Sequence, residues 1–173
     1  MIRAVLFDRD GTLIADPGED RTNITVMPHA AQALQRLRER GLRVGVVTNQ
    51  PAIGQGILEQ DQLLAEHDRI ESLVGPIDGW FVCPHDMRDA CRCRKPAPGL
   101  IYSAARAFGV SPHECIVVGD IESDLVAANS AGARAILVPT PVTLKGEIDR
   151  AAAVCRDLSQ AVDRILASEA IAV

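Results

Sequence analysis

Short apolar runs alternate with longer amphipathic stretches along this chain, and that alternation limits the folds it can adopt. Five runs are short and almost continuously hydrophobic, as buried strands are, at residues 2–7, 42–48, 79–83, 115–120 and 134–138. Helical periodicity predicts helices over residues 28–40, 59–73, 98–108, 122–131 and 158–168, with a frayed tail at 169–173. This order predicts an α/β fold with one mostly parallel central sheet and helices on both faces.

Length and composition predict a single globular domain. The chain has 173 residues, enough to bury a core, and 47% of them are hydrophobic, which argues against disorder. We see no linker or internal repeat, so residues 1–173 are predicted to form one domain.

The charge pattern argues against nucleic acid and membranes as partners. The net charge is −5 and no dense basic run is present. No apolar run approaches the roughly 20 residues that cross a bilayer, and the chain begins with a strand-like segment instead of a secretion signal. We therefore expect a cytoplasmic protein, a monomer, that acts on a small molecule.

Polar residues follow the predicted strands, at the edge where parallel sheets bind ligands. They are Asp8, Asp10, Gly11 and Thr12 after the first strand, Thr48, Asn49 and Gln50 at the second, and Asp120 with Asp124 after the fourth. Asp8 and Asp10 are two residues apart, so on an extended segment they face one side. Two carboxylates that face one pocket repel each other unless a cation or a shared proton lies between them. The alternative is that both only make local hydrogen bonds in a turn.

The fourth strand adds carboxylates to the same edge. Asp120 and Asp8 together could hold Mg²⁺, which prefers a few carboxylates, water and a substrate phosphate. Asp124 lies in the first turn of a predicted helix, where it could support this site or simply cap the helix.

A cluster of sulfur and imidazole ligands follows the third strand. Cys83, His85, Cys91 and Cys93 supply three thiols and one imidazole, the ligand set of a tetrahedral structural zinc site. Inert packing and redox chemistry are the alternatives, but a redox Cys-x-x-Cys pair is absent. The loop 83–93 would then fix the residues after it. The other cysteines, Cys115 and Cys155, are expected to be buried thiols, and His29, His67 and His113 have no predicted role in a site.

Four segments in this order resemble the motifs of haloacid dehalogenase superfamily phosphatases, over residues 1–138: "FDRDGTLI", "VVTNQ", the lysine of "RKPAPG" and "VGDIESD". The resemblance implies that Asp8 is a nucleophile and Asp10 a general acid and base. Thr48 and Lys95 would hold the phosphoryl group. It also implies a catalytic Mg²⁺ bound by Asp8, the backbone carbonyl of Asp10, and Asp120.

The cysteine cluster and the "CRKP" after it resemble one branch of that superfamily, the heptose bisphosphate and histidinol-phosphate phosphatases. The gaps from Thr12 to Thr48 and from Asn49 to Cys93 leave no room for the large cap domain that the superfamily often inserts, so no such domain is expected. Substrate contacts are expected from Gly11, Thr12, Asn49, Gln50 and Arg94. The segment "TNQPAIGQG" is closer to the heptose enzymes, whereas "DGTLI" and the apolar Ile121 after Asp120 depart from them.

The expected function is hydrolysis of a small phosphomonoester, most similar to a heptose 1,7-bisphosphate 7-phosphatase. Histidinol phosphate or another small metabolite is the alternative substrate. A non-catalytic, zinc-stabilised binding module is a further alternative. The presence of Asp8, Asp10, Lys95 and Asp120 together argues against that module.

Overall fold

The computed structural model describes residues 1–18 and 21–170. The strands are β1 (Ala4–Phe7), β2 (Arg43–Asn49), β3 (Gly79–Cys83), β4 (Cys115–Gly119) and β5 (Arg134–Leu137). The helices are α1 (Ala30–Glu39), α2 (Pro51–Gly54), α3 (Gln60–Val74), α4 (Gly99–Phe108), α5 (Glu122–Ala131), α6 (Lys145–Arg150) and α7 (Leu158–Ala170). Short 3₁₀ turns lie at Met87–Asp89 and Pro112–Glu114.

The five strands form one sheet in the order β3-β2-β1-β4-β5, and every neighbouring pair is parallel. This confirms the predicted parallel sheet. The chain builds outward from β1 to β2 and β3, then crosses to the other side of β1 for β4 and β5. Such a reversal leaves a crevice at the carboxyl ends of the two strands where it occurs, here β1 and β4.

Helices cover both faces of the sheet, as predicted. On β1, Val5 and Phe7 face the core that α1, α3 and α7 help to form. Ala4 and Leu6 face the opposite core, against α4 and α5. All four of these β1 side chains are fully buried. The first strand is therefore held from both faces and both edges, which gives the residues that follow it a fixed support.

The differences from the predicted elements lie in short helices and at the carboxyl terminus. The helices α2 and α6 have only four and six residues, too few to show a helical repeat in the sequence. The last helix extends to Ala170, so the start of the predicted frayed tail is helical. Residues 171–173 lie outside the described residues. Within residues 1–18 and 21–170, no helix is long and apolar enough to cross a membrane.

His67 is a packing residue, as predicted. It lies on α3, is only 4% exposed, and its ring stacks on Trp80 with the ring centroids 3.7 Å apart. Its Nε2 has no hydrogen-bond partner among the described residues. Burial, helped by the positive charge of Arg9, lowers the pKa of His67 to about 4.

This depressed pKa predicts a loss of stability in acid. The unfolded imidazole titrates at 6.5, so between pH 6.5 and about 4 the unfolded chain binds a proton that the folded chain does not. Above pH 6.5 the imidazole is neutral in both states, so the free energy of unfolding should lose nothing to His67 there. It should fall below that pH by up to about 1.4 kcal/mol per pH unit. His67→Phe keeps an aromatic ring against Trp80 but cannot bind a proton. It should therefore remove this pH-dependent part of the free energy of unfolding, measured by urea unfolding at several pH values.

His113→Gln is the matched control for that measurement, because His113 is exposed. Its stability should follow that of the unmodified protein at every pH. Parallel curves for His67→Phe and the unmodified protein would show that the folded chain binds a proton at His67 as readily as the unfolded chain does, which would refute the lowered pKa.

Candidate active site

A cavity of about 720 Å³ opens at the carboxyl edge of the sheet. The predicted site residues that line it are Asp8, Asp10, Gly11, Thr48, Asn49, Gln50, Arg94, Lys95 and Asp120. Thr12 is the one predicted substrate contact that the structure does not bring to the cavity. Thr12 belongs to the turn after β1, where its side chain is buried, and its hydroxyl has no partner among the described residues.

Lys95 lines this cavity from the loop that precedes α4. Its Nζ donates to Asp8 Oδ1 at 2.6 Å, to Asp124 Oδ1 at 2.6 Å and to the carbonyl of Val47 at 2.9 Å. Burial alone would lower the pKa of Lys95, but the carboxylates of Asp124 and Asp8 raise it above its ordinary value. The ammonium is thus a fixed positive charge beside Asp8.

The structure gives Asp124 a contact that corresponds to each of the two interpretations. This fully buried carboxylate pairs with Lys95 through one oxygen. The other oxygen accepts the backbone N–H of Ile121 at 3.4 Å, at the start of α5. Asp124 therefore holds Lys95 while it caps the helix.

The acidic groups at this edge suit a divalent cation. Oxygens of Asp8, Asp120 and Asp124 lie within 4.8 Å of one another, and a single ammonium, that of Lys95, pairs with two of them. Asp120 Oδ1 is buried without a partner among the described residues. Burial, reinforced by the charge of Asp124, raises the pKa of Asp120 to about 6. Burial also raises the pKa of Asp8 to about 8 against the opposing effect of Lys95.

Gly11 lets the turn after β1 approach these carboxylates. Its φ is +84°, a value that side-chain-bearing residues rarely adopt, and an added Cβ would collide with the carboxylate of Asp120. The residue type at position 11 therefore fixes how closely the ends of β1 and β4 meet.

Asn49 lines the cavity, but its amide is occupied by the backbone of Lys95. Asn49 Nδ2 donates to the Lys95 carbonyl at 3.1 Å, and the Lys95 N–H donates to Asn49 Oδ1 at 3.0 Å. We call this pair of bonds the Asn49 clamp. It joins the end of β2 directly to the lysine, so the loop 83–93 is not the only support of Lys95.

Asp10 lines the same cavity as Asp8, and both of its carboxylate oxygens are hydrogen-bonded. One carboxylate oxygen accepts Arg9 Nε at 2.9 Å, and the other accepts Gln50 Nε2 at 2.7 Å. Arg9 also bonds Glu66 on α3, a partner that the sequence did not reveal. The sequence carried one signal for this: Arg9 lies between Asp8 and Asp10, and on an extended segment its side chain is predicted to point to the opposite side from theirs.

A second residue that the sequence did not reveal is Arg21, which also lines the cavity. The segment around it is held where Ile14 and Val26 form an antiparallel bridge and Ala15 N–H donates to the Thr25 carbonyl at 2.8 Å. This pairing returns the chain toward the site from a stretch with no periodic pattern, so the placement of Arg21 has no sequence signal.

The structure brings the four predicted zinc ligands together. The Sγ atoms of Cys83, Cys91 and Cys93 are 3.3 to 3.6 Å apart, and His85 Nδ1 lies 3.2 Å from Cys93 Sγ. These separations exceed a disulfide bond of about 2.05 Å. They are close to the edges of a tetrahedron with Zn–S bonds of about 2.3 Å, so the ligand set fits zinc.

A backbone donor also supports a thiolate in this cluster. The N–H of Arg94 donates to Cys91 Sγ at 3.3 Å. Desolvation opposes it, but this bond helps to lower the pKa of Cys91 to about 7. By contrast, Cys115 and Cys155 are buried away from the cluster, as predicted, and burial raises the pKa of each thiol.

Comparison with known proteins agrees with this geometry. Residues 18–132 match the haloacid dehalogenase-like hydrolases. The chain is 31% identical to D-glycero-beta-D-manno-heptose-1,7-bisphosphate 7-phosphatase of Bordetella bronchiseptica, over 95% of this chain and 98% of the relative. It is 35% identical to D-glycero-alpha-D-manno-heptose-1,7-bisphosphate 7-phosphatase of Mycobacterium bovis, over 76% of this chain and 74% of the relative.

A solved structure extends the likeness to three dimensions. The crystal structure of D,D-heptose 1,7-bisphosphate phosphatase from B. bronchiseptica, complexed with magnesium and phosphate, superimposes with a TM-score of 0.84 and 29% identity. The superposition covers 96% of this chain and 99% of that one. With its parallel sheet, its acidic crevice and a family match over most of its length, this chain belongs to the haloacid dehalogenase-like hydrolase family.

Proposed function

We propose that this protein removes the 7-phosphate of D-glycero-D-manno-heptose 1,7-bisphosphate through an aspartyl-phosphate on Asp8. The observation that carries the proposal is the contact of Lys95 Nζ with Asp8 Oδ1, at 2.6 Å, inside a cavity far larger than one phosphate group. A carboxylate that attacks an anionic phosphate needs its repulsion cancelled, and a fixed ammonium at that atom does so. The substrate is taken from the relatives in B. bronchiseptica and M. bovis.

In the first step, an oxygen of Asp8 forms a bond to phosphorus as the bond from phosphorus to the sugar oxygen breaks. Asp10 gives its proton to that leaving oxygen, so the sugar departs as an alcohol. Thr48 and Lys95 hold the oxygens of the transferred group, and the ammonium offsets their charge.

In the second step, water attacks phosphorus and gives its proton to Asp10, and the bond to Asp8 breaks. The nucleophile is thereby restored and phosphate is released. Dividing the hydrolysis into these two transfers replaces one difficult step with two easier ones. Asp8, Asp120 and the backbone carbonyl of Asp10 would hold Mg²⁺, which would neutralise phosphate charge and align the group for attack.

The mouth of the cavity has a cationic side and an apolar side. Arg94 lines one side and uses Nη1 to bond the carbonyl of His85 at 3.1 Å, which leaves its other donors for an anionic substrate group. Ile121, Pro141 and Val142 line another part. A substrate with a second phosphate could use Arg94, since this side chain is partly exposed at the opening.

A substrate panel tests the proposal. We expect the highest kcat/KM for one anomer of heptose 1,7-bisphosphate, measured as phosphate release beside histidinol phosphate and p-nitrophenyl phosphate. Preference for histidinol phosphate would refute the proposed substrate and keep the reaction class. No release from any phosphomonoester, with Mg²⁺ supplied, would favour the binding-module alternative.

We also propose that Cys83, His85, Cys91 and Cys93 bind one structural zinc. Zinc binding is worth about 10–16 kcal/mol in isolated finger peptides, where it drives the whole fold. Here the sheet has its own core on both faces, so the metal should order the loop and leave the domain intact.

Replacing Cys93 by serine should remove the zinc and slow the enzyme. The purified protein should contain about one zinc per chain, and the variant almost none. Its far-UV circular dichroism should change little, while kcat on small phosphates falls about tenfold or more because Lys95 loses one of its supports. Metal analysis and kinetics on the same preparation make the measurement.

Cys155→Ser is the matched control, because Cys155 is a buried thiol outside the cluster. It should keep both zinc and activity. A zinc-free Cys93→Ser enzyme with unchanged turnover would show that the Asn49 clamp and the bonds of the ammonium suffice to place Lys95.

A further inference from the structure

Five side chains, one of them that of Asp10, form a closed ring of hydrogen bonds. Arg9 and Gln50 donate to the two oxygens of Asp10, and Arg21 Nη2 donates to Gln50 Oε1 at 3.0 Å. Glu66 closes the ring from α3: Oε2 accepts Arg9 Nη1 at 3.0 Å, and Oε1 accepts Arg21 Nε at 2.7 Å. We call these five side chains the Asp10 ring.

Burial makes the ring sensitive to the loss of any charge. The side chain of Arg9 is fully buried, and that of Glu66 is only 11% exposed. A buried guanidinium must be paired, because an uncompensated buried charge costs several kcal/mol. Burial alone would raise the pKa of Glu66, but Arg21 and Arg9 lower it below its ordinary value, so the carboxylate stays charged.

The ring shares Arg9 between two carboxylates. With Glu66 in place, Arg9 gives Nε to Asp10 and Nη1 to Glu66, so each carboxylate receives a single bond from it. Without the charge of Glu66, the nearest remaining carboxylate for this buried guanidinium is Asp10. A second bond to Arg9 would draw the Asp10 side chain away from the cavity, and Asp10 must reach the leaving oxygen there.

We propose that Glu66 is a positioning residue for Asp10, which it holds at the cavity through Arg9 on one side and through Arg21 and Gln50 on the other. The inference rests on the proposed phosphatase function, in which Asp10 protonates the leaving oxygen. Glu66 does not line the cavity and reaches the reaction only through its partners.

The test compares leaving groups in the first turnover. Alkyl phosphates need a proton donor at the leaving oxygen, whereas the p-nitrophenolate of p-nitrophenyl phosphate leaves without one. Glu66→Gln should therefore slow release of the alcohol from an alkyl phosphate about tenfold or more, the effect of a weakened general acid. Release of p-nitrophenolate should slow less than about twofold. The inhibition constant of inorganic phosphate should be almost unchanged, because Asp8 and Lys95 are outside the ring.

Two further variants sharpen the result. Glu71→Gln is the matched control: Glu71 lies on the same helix, accepts Trp80 Nε1 at 2.7 Å and is outside the ring. It should leave both rates unchanged. Arg9→Met removes the shared guanidinium and should reproduce the leaving-group pattern, which keeps the proposal testable if Glu66→Gln does not fold. Equal slowing of both leaving groups, or no slowing, would overturn the positioning role.

A second measurement is independent of activity. In ¹⁵N-labelled protein, the Hε resonance of Arg9 should shift in Glu66→Gln and stay in place in Glu71→Gln, because, of these two glutamates, Glu66 alone bonds this guanidinium. An unmodified enzyme inactive on every phosphate would refute the proposed function. An Arg9 resonance that ignores Glu66→Gln would refute the ring itself.

Discussion

Asp8→Asn should abolish phosphatase activity, with a loss in kcat of about 10⁴-fold or more, while the protein stays folded. The amide cannot form the acyl phosphate on which both steps depend, so no slower version of the same route remains. The thermal midpoint should not fall. Asp8 is a buried carboxylate beside two others, and its neutral replacement still leaves Lys95 paired with Asp124. Activity is measured as phosphate release, and the thermal midpoint by thermal unfolding of the same sample.

Asp10→Asn is the matched variant, two residues away in the same cavity. It should slow turnover by about 10²–10⁴-fold without abolishing it, because it removes proton transfer and leaves the nucleophile in place. Asp8→Asn turnover close to that of the unmodified enzyme would rule out an intermediate on this residue. Equal losses in the two variants would leave the separate roles of nucleophile and acid unsupported.

Removal of Mg²⁺ should abolish activity, and Mg²⁺ but not Ca²⁺ should restore it. The unpartnered Asp120 Oδ1 and the excess of carboxylates over ammonium groups at this edge fit a small divalent ion. Ca²⁺ takes more ligands at about 2.3–2.6 Å, against about 2.0–2.1 Å for Mg²⁺, and would place phosphorus too far from Asp8. Phosphate release is measured after brief chelation, with each ion added back in turn.

Zinc content must be followed in that experiment, since a chelator could also remove the zinc that we propose for the cysteine cluster. Activity that returns with Mg²⁺ while zinc stays bound assigns the loss to the acidic site. Asp120→Asn should raise the Mg²⁺ concentration needed for half-maximal activity, and Asp78→Asn, far from the cavity at the start of β3, should not. Full turnover in buffer shown to be metal-free would refute the metal requirement.

The parallel sheet could be predicted from sequence because its strands are buried on both faces. Their residues form nearly continuous apolar runs, and polar residues follow at the edge where such sheets bind ligands. The cluster of Cys83, His85, Cys91 and Cys93 could also be predicted, because its four residues lie within eleven positions of the sequence. In both cases the information is local in the chain.

The Asp10 ring and the Asn49 clamp could not be predicted, because each joins residues far apart in sequence. Arg9 and Glu66 are separated by 57 positions, and their pairing depends on how α3 packs beside β1. For Asn49, the residue type predicts hydrogen bonding, but only the path of the loop shows that its partner is the backbone of Lys95. Thr12 lies in a recognisable motif, and its burial is a matter of how the turn folds.

The helix α2 and the loop that carries the proposed zinc ligands meet backbone to backbone. Gln50 N–H donates to the Cys83 carbonyl at 2.7 Å and Gly54 N–H to the Pro84 carbonyl at 3.0 Å, and a side chain at Gly54 would collide with that second carbonyl. An insertion in either segment would therefore disturb the other. Evolution toward new substrates should accordingly conserve the lengths of both segments and proceed by replacing cavity-facing side chains such as Ala52 and Gln55.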